Sequence, residues 1–448
     1  MRRIHSSYWA ALLALTLFLA ACGSAPDSAA PVTATQPPVA TATVAPATPT
    51  PTPATATPEP TGLASQSTTA PAPAEGAETG FDPTADEAGF QAIIDSVSDD
   101  LLERALTEWN TNWERRTIEL SELKPLLPRD TIRSLDQPTF ETTAEAAAWL
   151  SDEEPLITVE LNGEARAYPL FIMAVHEIVN DQFGDRPVVI TYCPLCNSAI
   201  VFEARLNGQT LEFGTSGMLR NADLIMYDRT TESLWQQFTG DAIVGDLTGE
   251  RLTFLPSAIV SFADFRSAFP DGKILSRDTG FDYDYATRAG GYAGYDDLDN
   301  RPTLFPGRVD SRLPAMERVV SLTIDEAAMA YPLSVLARRG VIHDTVNGRD
   351  LVVFHTSGTS NSFFNPVSNE WQDVGATGVF DPTLDGRELT FVKDGQTIVD
   401  EQTGTHWNIL GQAVTGPLSG EELTEIIHGN HFWFSWAAFH PDTDVFGQ

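Results

Sequence analysis

Residues 165–194 read "ARAYPLFIMAVHEIVNDQFGDRPVVITYCP", and residues 328–357 read "AMAYPLSVLARRGVIHDTVNGRDLVVFHTS". Tyr168 falls on Tyr331, an offset of 331 − 168 = 163, and the two stretches then run side by side without a gap. "AYPL" meets "AYPL", and "VVI" meets "LVV". The echo continues downstream. "MYDRTTESLWQQFTGDAIVGDLTGERL" from Met226 returns as "IVDEQTGTHWNILGQAVTGPLSGEEL" from Ile398, setting Asp228 on Asp400 and Trp235 on Trp407. "FADFRSAFPD" from Phe262 then falls on "WFSWAAFHPD" from Trp433. Three blocks in one order point to a duplicated unit.

Each copy opens with alternating residues, "LITVELNG" or "VVSLTIDE", that read as a strand. A second strand ends in Tyr-Pro, and "LFIMAVHEIV" or "LSVLARRGVI" reads as a short helix. An apolar strand follows, "RPVVITY" or "RDLVVFH", and "AIVFEARLNGQTLEF" reads as a hairpin closed at its Asn-Gly. Strands dominate and the helices are short. The expected fold is α+β with mainly antiparallel sheet, in two tandem pseudo-repeats spanning residues 151–300 and 301–448.

Ahead of the first copy, residues 86–150 are expected to form a helical lead-in. "AGFQAIIDSVSDDLLERALTEWNTNWERR" places Phe90, Ile93, Ile94 and Val97 on one stripe. Residues 22–85 are rich in Pro, Thr and Ala and nearly free of large apolar side chains, so they cannot offset the entropy of ordering and read as an extended tether. Residues 1–21 carry Arg2 and Arg3, an apolar run and "LAAC", the pattern of a secretory signal with a bacterial lipobox. A membrane-spanning helix needs about 20 apolar residues, and this run is shorter. Cleavage before Cys22, with lipid on its sulfur, is therefore expected. That would anchor the protein to the membrane on the extracytoplasmic face.

Sixty-two acidic against 27 basic residues leave a net charge of −35. Nucleic acid and anionic lipid surfaces require concentrated Lys and Arg, so nucleic acid is excluded as a partner. Whether a protein or a small molecule binds is left open by composition.

A duplicated scaffold carries its own control. Residues common to both copies are most simply explained by folding, which covers the two Tyr-Pro pairs, Asp181 with Asp344, and Trp235 with Trp407. Residues peculiar to one copy are the better candidates for chemistry. Cys193 falls on Thr356, Cys196 on Thr359 and His176 on Arg339. The second copy has the strand without either thiol or the imidazole.

Several readings of "TYCPLCNS" stay open. Cys193 and Cys196 could form a disulfide outside the cell. They could form a redox couple, although the residues that follow resume as a strand where a thioredoxin-like motif has a helix. Two thiolates with His176 suit a soft metal, copper before others, with Met218 or Met226 as thioether ligands. A closed zinc site wants four ligands, and no second Cys-x-x-Cys exists. Cys193 could be a nucleophile with His176 as its base and Asp181 or Asn180 orienting the imidazole. The pair could also be purely structural.

Other stretches are weaker. "FGTSGMLRNADL" lacks phosphate-loop spacing and reads as a tight connection between strands. Asp282, Asp284, Asp296, Asp297 and Asp299 lack the EF-hand pattern and read as a solvated loop. His428, His431 and His440 invite a metal reading, but their aromatic neighbours better describe a helix docked on the sheet.

Taken together, "TIELSELKPLLPRDTIRSLDQPTF", "GEARAYPLFIMAVHEIVND", "TYCPLCNSAIVFEA", "FGTSGMLRNADLIMYDRTTESLWQQFTGDAIVG" and "FWFSWAAFHPDT" resemble the exported bacterial and archaeal proteins of domain-of-unknown-function family 3179. The resemblance runs from about Leu120 to Phe446. It implies a secreted or lipid-anchored protein and brings no established activity. It also implies that the thiol at Cys193 is regular and that Cys196 is often replaced, which favours a site built on Cys193 with His176. The expected function is accordingly soft-metal binding or delivery at that site. Thiol redox or cysteine-dependent catalysis is the alternative, and a surface binding module without chemistry is a third.

Overall fold

The structure is a computed structural model, and it describes residues 83–285, 292, 294–363, 372–395 and 397–448. The expected signal, the lipidation at Cys22 and nearly all of the tether lie outside the described residues. No helix of the described residues is long and apolar enough to cross a membrane.

The first described element is helix α1 (Pro83–Glu108). Among its described side chains, those buried are Ile94, Ser98 and Ala105, spaced for one helical face. Val97, expected on the packing stripe, is instead exposed, and the side chains of Phe90 and Ile93 lie outside the described residues. Ala105 joins a small core with Leu123, Met218, Ile225 and Tyr227, so the helix is seated by its C-terminal end. Beyond Glu108 the expected helical lead-in shrinks to a 3-10 turn at Leu120–Glu122 and a four-residue helix at Thr143–Ala146.

Strand β1 (Pro155–Leu161) pairs antiparallel with β2 (Glu164–Pro169), Leu156 opposite Pro169. Proline ends β2 because its fixed φ suits the first step into helix α2 (Leu170–His176). Then β3 (Ile178–Phe183), β4 (Arg186–Cys193) and β5 (Ser198–Glu203) form a meander. The expected Asn-Gly hairpin follows, with Asn207 and Gly208 both at positive φ, as the tight two-residue turn requires. Strands β6 (Phe213–Arg220), β7 (Asp223–Asp228), β8 (Leu234–Gln236) and β9 (Ala242–Val244) make a second antiparallel run. Strand β10 (Ala258–Ser261) returns to pair with β1 and leads into α3 (Phe262–Ala268).

In the second half, β11 (Arg318–Ile324) pairs with β12 (Ala327–Pro332), Val319 opposite Pro332, and α4 (Leu333–Arg339) follows. The meander is β13 (Val341–Val346), β14 (Arg349–Thr356) and β15 (Ala376–Phe380). A second run holds β16 (Phe391–Asp394), β17 (Thr397–Asp400), β18 (His406–Trp407) and β19 (Ala413–Thr415). Strand β20 (Gly429–Phe432) pairs with β11 and leads into α5 (Trp433–Phe439). The fold is therefore α+β and mostly antiparallel. Among the described strands, parallel pairing is limited to two short contacts, at Lys273 with Arg166 and at Met329 with Asp444, and one isolated bridge between Leu135 and Val179.

Residues common to the two halves make the same bonds. The Tyr168 hydroxyl donates to Asp181 Oδ2 at 2.5 Å, and Tyr331 donates to Asp344 Oδ2 at 3.0 Å. Trp235 Nε1 donates to Asp228 Oδ2 at 3.1 Å, and Trp407 Nε1 to Asp400 Oδ2 at the same distance. Each knot gives a buried indole N–H the acceptor that it needs. One apolar core crosses both halves, joining Tyr168, Phe171, Ile190 and Tyr192 of the first to Phe354, Phe391 and Trp407 of the second.

Candidate functional site

Strand β4 ends at Cys193, and a single 3-10 turn, Pro194–Cys196, carries the chain to β5. Proline has no amide to leave unpaired at the start of that turn, and Asn197 closes it at φ 50, a left-handed conformation that asparagine tolerates. Cys193 then sits opposite Ser198 across the β4–β5 ladder. The turn points both sulfurs the same way, toward the carbonyl of Ala222, at 3.7 Å from Cys193 and 3.4 Å from Cys196.

Ala222 belongs to the β6–β7 hairpin, the tight connection expected from "FGTSGMLRNADL". Asn221 and Ala222 both adopt positive φ, and Arg220 pairs with Asp223 across the turn. The next residue, Asp223, is fully buried. Its Oδ2 accepts from Gln236 Nε2 at 2.7 Å and from the Phe238 amide at 3.0 Å. Its Oδ1 is buried and has no hydrogen-bond partner among the described residues beyond the two thiols. The two sulfurs and a carboxylate oxygen of Asp223 all lie within 4.8 Å of one another.

Burial governs the protonation of this cluster. It pushes Cys193 up and Cys196 well up, and it pushes Asp223 up to about 7, against the bonds from Gln236 and Phe238. Both cysteines are free thiols. Burial thus favours the neutral form of each of the three groups.

Beside the cluster stands Glu177, the residue that closes α2 at φ 59. It is 8% exposed, and burial, with the neighbouring Asp223, pushes its carboxyl up to about 8. The shell around the thiols is apolar and draws on both halves, with Met226, Tyr295, Phe363, Phe432 and Phe434. A cleft of about 430 Å³ nearby is lined by Arg220, Asn221, Asp241 and Phe439 among others, and by none of Cys193, Cys196, Asp223 or Glu177.

The structure does not bring His176 to the thiols. Its Nδ1 lies 2.6 Å from the Arg133 carbonyl, which can only accept, so Nδ1 carries the proton and Nε2 accepts from the Tyr285 hydroxyl at 2.5 Å. Phe281, Tyr283 and Tyr285 surround the ring, and burial lowers its pKa to about 4. Asp181 is engaged by Tyr168 and by Arg166 at 2.6 Å. Asn180 ties β3 to the Phe213 backbone. Met226 shares the thiols' apolar cluster, whereas Met218 belongs to the small core under α1.

The remaining motifs also have partners of their own. His428 Nδ1 meets the Ile426 carbonyl at 2.8 Å, His431 stacks on Trp436, and the His440 and Trp436 ring centres lie 3.9 Å apart. Asp296 pairs with Arg318 at 2.8 Å and accepts from Asn361. Among the described residues, the group of His, Cys, Asp and Glu side chains close enough to share an ion is Cys193, Cys196 and Asp223.

Sequence reasoning missed Asp223 and Glu177. The signal was present in the comparison of the halves: Glu177 falls on Gly340 at the offset that singled out the cysteines, and Asp223 falls on Gly395 when the Asp228–Asp400 alignment is carried back five residues.

The fold and the cluster define an α+β protein with a closed thiol and carboxylate centre. The family described as protein of unknown function (DUF3179) matches residues 129–443, and the chain belongs to that family. No curated protein and no solved structure matches the chain.

Proposed function

We propose that this protein binds a metal ion at Cys193, Cys196 and Asp223. The observation that carries this reading is the gathering within 4.8 Å of two buried free thiols and the buried Asp223 carboxylate, whose Oδ1 has no partner beyond those thiols. Thiols are weak donors to a buried carboxylate oxygen, and an ion would be a stronger partner. Loading a divalent ion displaces the two thiol protons and the carboxyl proton, leaving three anionic ligands around two positive charges.

The donor set refines the expected metal. Two thiolates satisfy copper(I) without the carboxylate, whereas zinc and similar divalent ions take thiolate and carboxylate together. Zinc is therefore put ahead of copper. The closed, apolar surroundings support a holding role over turnover of a substrate.

The wider reading is an exported lipoprotein, anchored through Cys22 and carried on the Pro/Thr/Ala-rich tether, whose globular part arose by duplication. Identical strand registers at the 163-residue offset support the duplication, with Leu156 opposite Pro169 and Val319 opposite Pro332.

The test is titration of the reduced full chain in detergent with Co²⁺, followed by thiolate-to-cobalt charge-transfer absorption. Wild type should develop the band and bind zinc in competition. Cys193→Ser and Cys196→Ser should lose most of it. A wild type without the band, or a double serine variant that keeps it, overturns the metal reading.

A thiol redox couple is the second reading, favoured by two free sulfurs on one turn of chain beside a carboxyl poised near neutrality. An external disulfide would oxidise the pair to a Cys193–Cys196 bridge and leave as two thiols. Thiol counting after such treatment decides it: two free thiols remaining excludes the couple.

A further inference from the structure

The two halves treat one backbone position differently. After α2 and after α4, the chain must turn through positive φ. In both, the turning residue's amide donates to a helix carbonyl at 2.7 Å, Glu177 to Met173 and Gly340 to Leu336. In both, its carbonyl accepts at 2.8 Å from the meander, Tyr192 donating to Glu177 and His355 to Gly340. The second half uses glycine, at φ 74, as the geometry favours. The first half uses Glu177 at φ 59, where a side chain costs about 1 kcal/mol.

That glutamate is also nearly buried, and no side-chain hydrogen bond holds its carboxylate among the described residues. Burying an unpaired carboxyl adds to the cost. The turn itself does not need the side chain, because Gly340 closes the same turn without one. Its carbonyl accepts from the Tyr192 amide, one residue before Cys193, which places it at the edge of the thiol cluster, outside the group gathered within 4.8 Å.

A closed four-coordinate ion takes four protein ligands, and Cys193, Cys196 and Asp223 supply three. We propose that Glu177 is the fourth ligand, giving a set of two sulfurs and two oxygens. The inference rests on the metal reading above. Glutamate has three rotatable bonds before its oxygens, enough reach to swing inward as the ion arrives. The halves then differ consistently: the first has Cys193, Cys196, Asp223 and Glu177 where the second has Thr356, Thr359, Gly395 and Gly340. Every proposed ligand lies in one half, and the other carries no ionisable group at any of the four positions.

The experiment is Co²⁺ titration of the full chain as wild type, Glu177→Gln, Glu177→Gly and Cys193→Ser. Charge-transfer absorption reports thiolate ligation, and ligand-field band intensity separates four-coordinate cobalt from higher coordination. Glu177→Gly introduces the residue that the second half already uses, so it should fold with a urea midpoint at or above wild type. Both Glu177 variants should keep the charge-transfer band, show weaker ligand-field bands as water enters, and bind at least about tenfold more weakly, the lower end of what loss of even an outer partner causes. Unchanged affinity and ligand-field bands in both variants overturn the fourth ligand while leaving the metal site standing. Absence of the charge-transfer band from wild type overturns both.

Discussion

Asp228→Ala removes the acceptor at the centre of the knot that holds β7 against β8. Asp228 is fully buried and accepts from Trp235 Nε1 at 3.1 Å, from the Thr231 amide at 2.7 Å, from the Thr230 amide at 3.2 Å and from the Thr231 hydroxyl at 2.8 Å. The four donors do not suffer equally. Thr230 is exposed and its amide can turn to water, and the Thr231 hydroxyl still has Ser233 at 2.7 Å. Trp235 is fully buried, and its indole N–H would be stranded. An orphaned buried donor costs about 1–3 kcal/mol, and the lost bond from the Thr231 amide adds a comparable amount, so a total of about 3–4 kcal/mol is expected. Urea denaturation followed by tryptophan fluorescence should show a lower midpoint with an unchanged slope. Asp400→Ala offers the matching test, because Asp400 accepts from Trp407 Nε1 at 3.1 Å and from the Thr403 amide and hydroxyl at 2.6 and 2.8 Å. A loss below about 1 kcal/mol at Asp228 would refute the reasoning, since the stranded indole alone should exceed it.

Acid should weaken the fold through His431, whose pKa burial lowers to about 3, with the neighbouring His440 and His428 adding to the effect. A folded pKa below the unfolded value of about 6.5 means that the stability is fully present above pH 6.5 and is lost as pH falls toward 3. At pH 5 the loss is about 2 kcal/mol. Glu177 and Asp223 act in the opposite sense, because their raised pKa values add stability as pH falls, so the test is a difference: the stability of His431→Gln relative to wild type should rise by about 2 kcal/mol from pH 7 to 5, and a difference that stays constant would count against it. Gly217→Ala should cost about 3 kcal/mol or more, because a Cβ at φ 73 would overlap the Leu127 carbonyl, whereas Gly208→Ala, at φ 81 with nothing within 4 Å, should cost about 1 kcal/mol. Equal thermal midpoints for the two glycine variants would remove the distinction.

Much of the fold was legible because its signals are local. Alternation marked β1 and β11, Tyr-Pro marked the ends of β2 and β12, and Asn207-Gly208 marked a hairpin. Helix α1 was legible in position but not in its buried face. Its sparse apolar residues leave the choice of face to what it packs on, and Val97 ends exposed while Ile94 and Ala105 are covered. The thiols were legible by contrast with Thr356 and Thr359. The same contrast misled at His176, because a residue peculiar to one half need not lie near the others. What claims that imidazole is Tyr285, 109 residues further along the chain.

The amino-acid sequence by itself determined the elements, their order and the pair of sulfurs on one turn, since periodicity, proline and asparagine act within a few residues of themselves. Only the tertiary structure decided what the sulfurs meet. The β6–β7 hairpin delivers Ala222 and Asp223 to a turn some thirty residues earlier in the chain, and α2 ends so that Glu177 stands beside them. That meeting depends on how packed sheets close over one another, and the burial it creates raises the pKa values of Cys193, Cys196, Asp223 and Glu177. No local pattern carries that information, because desolvation belongs to the assembled core and not to any segment of the chain.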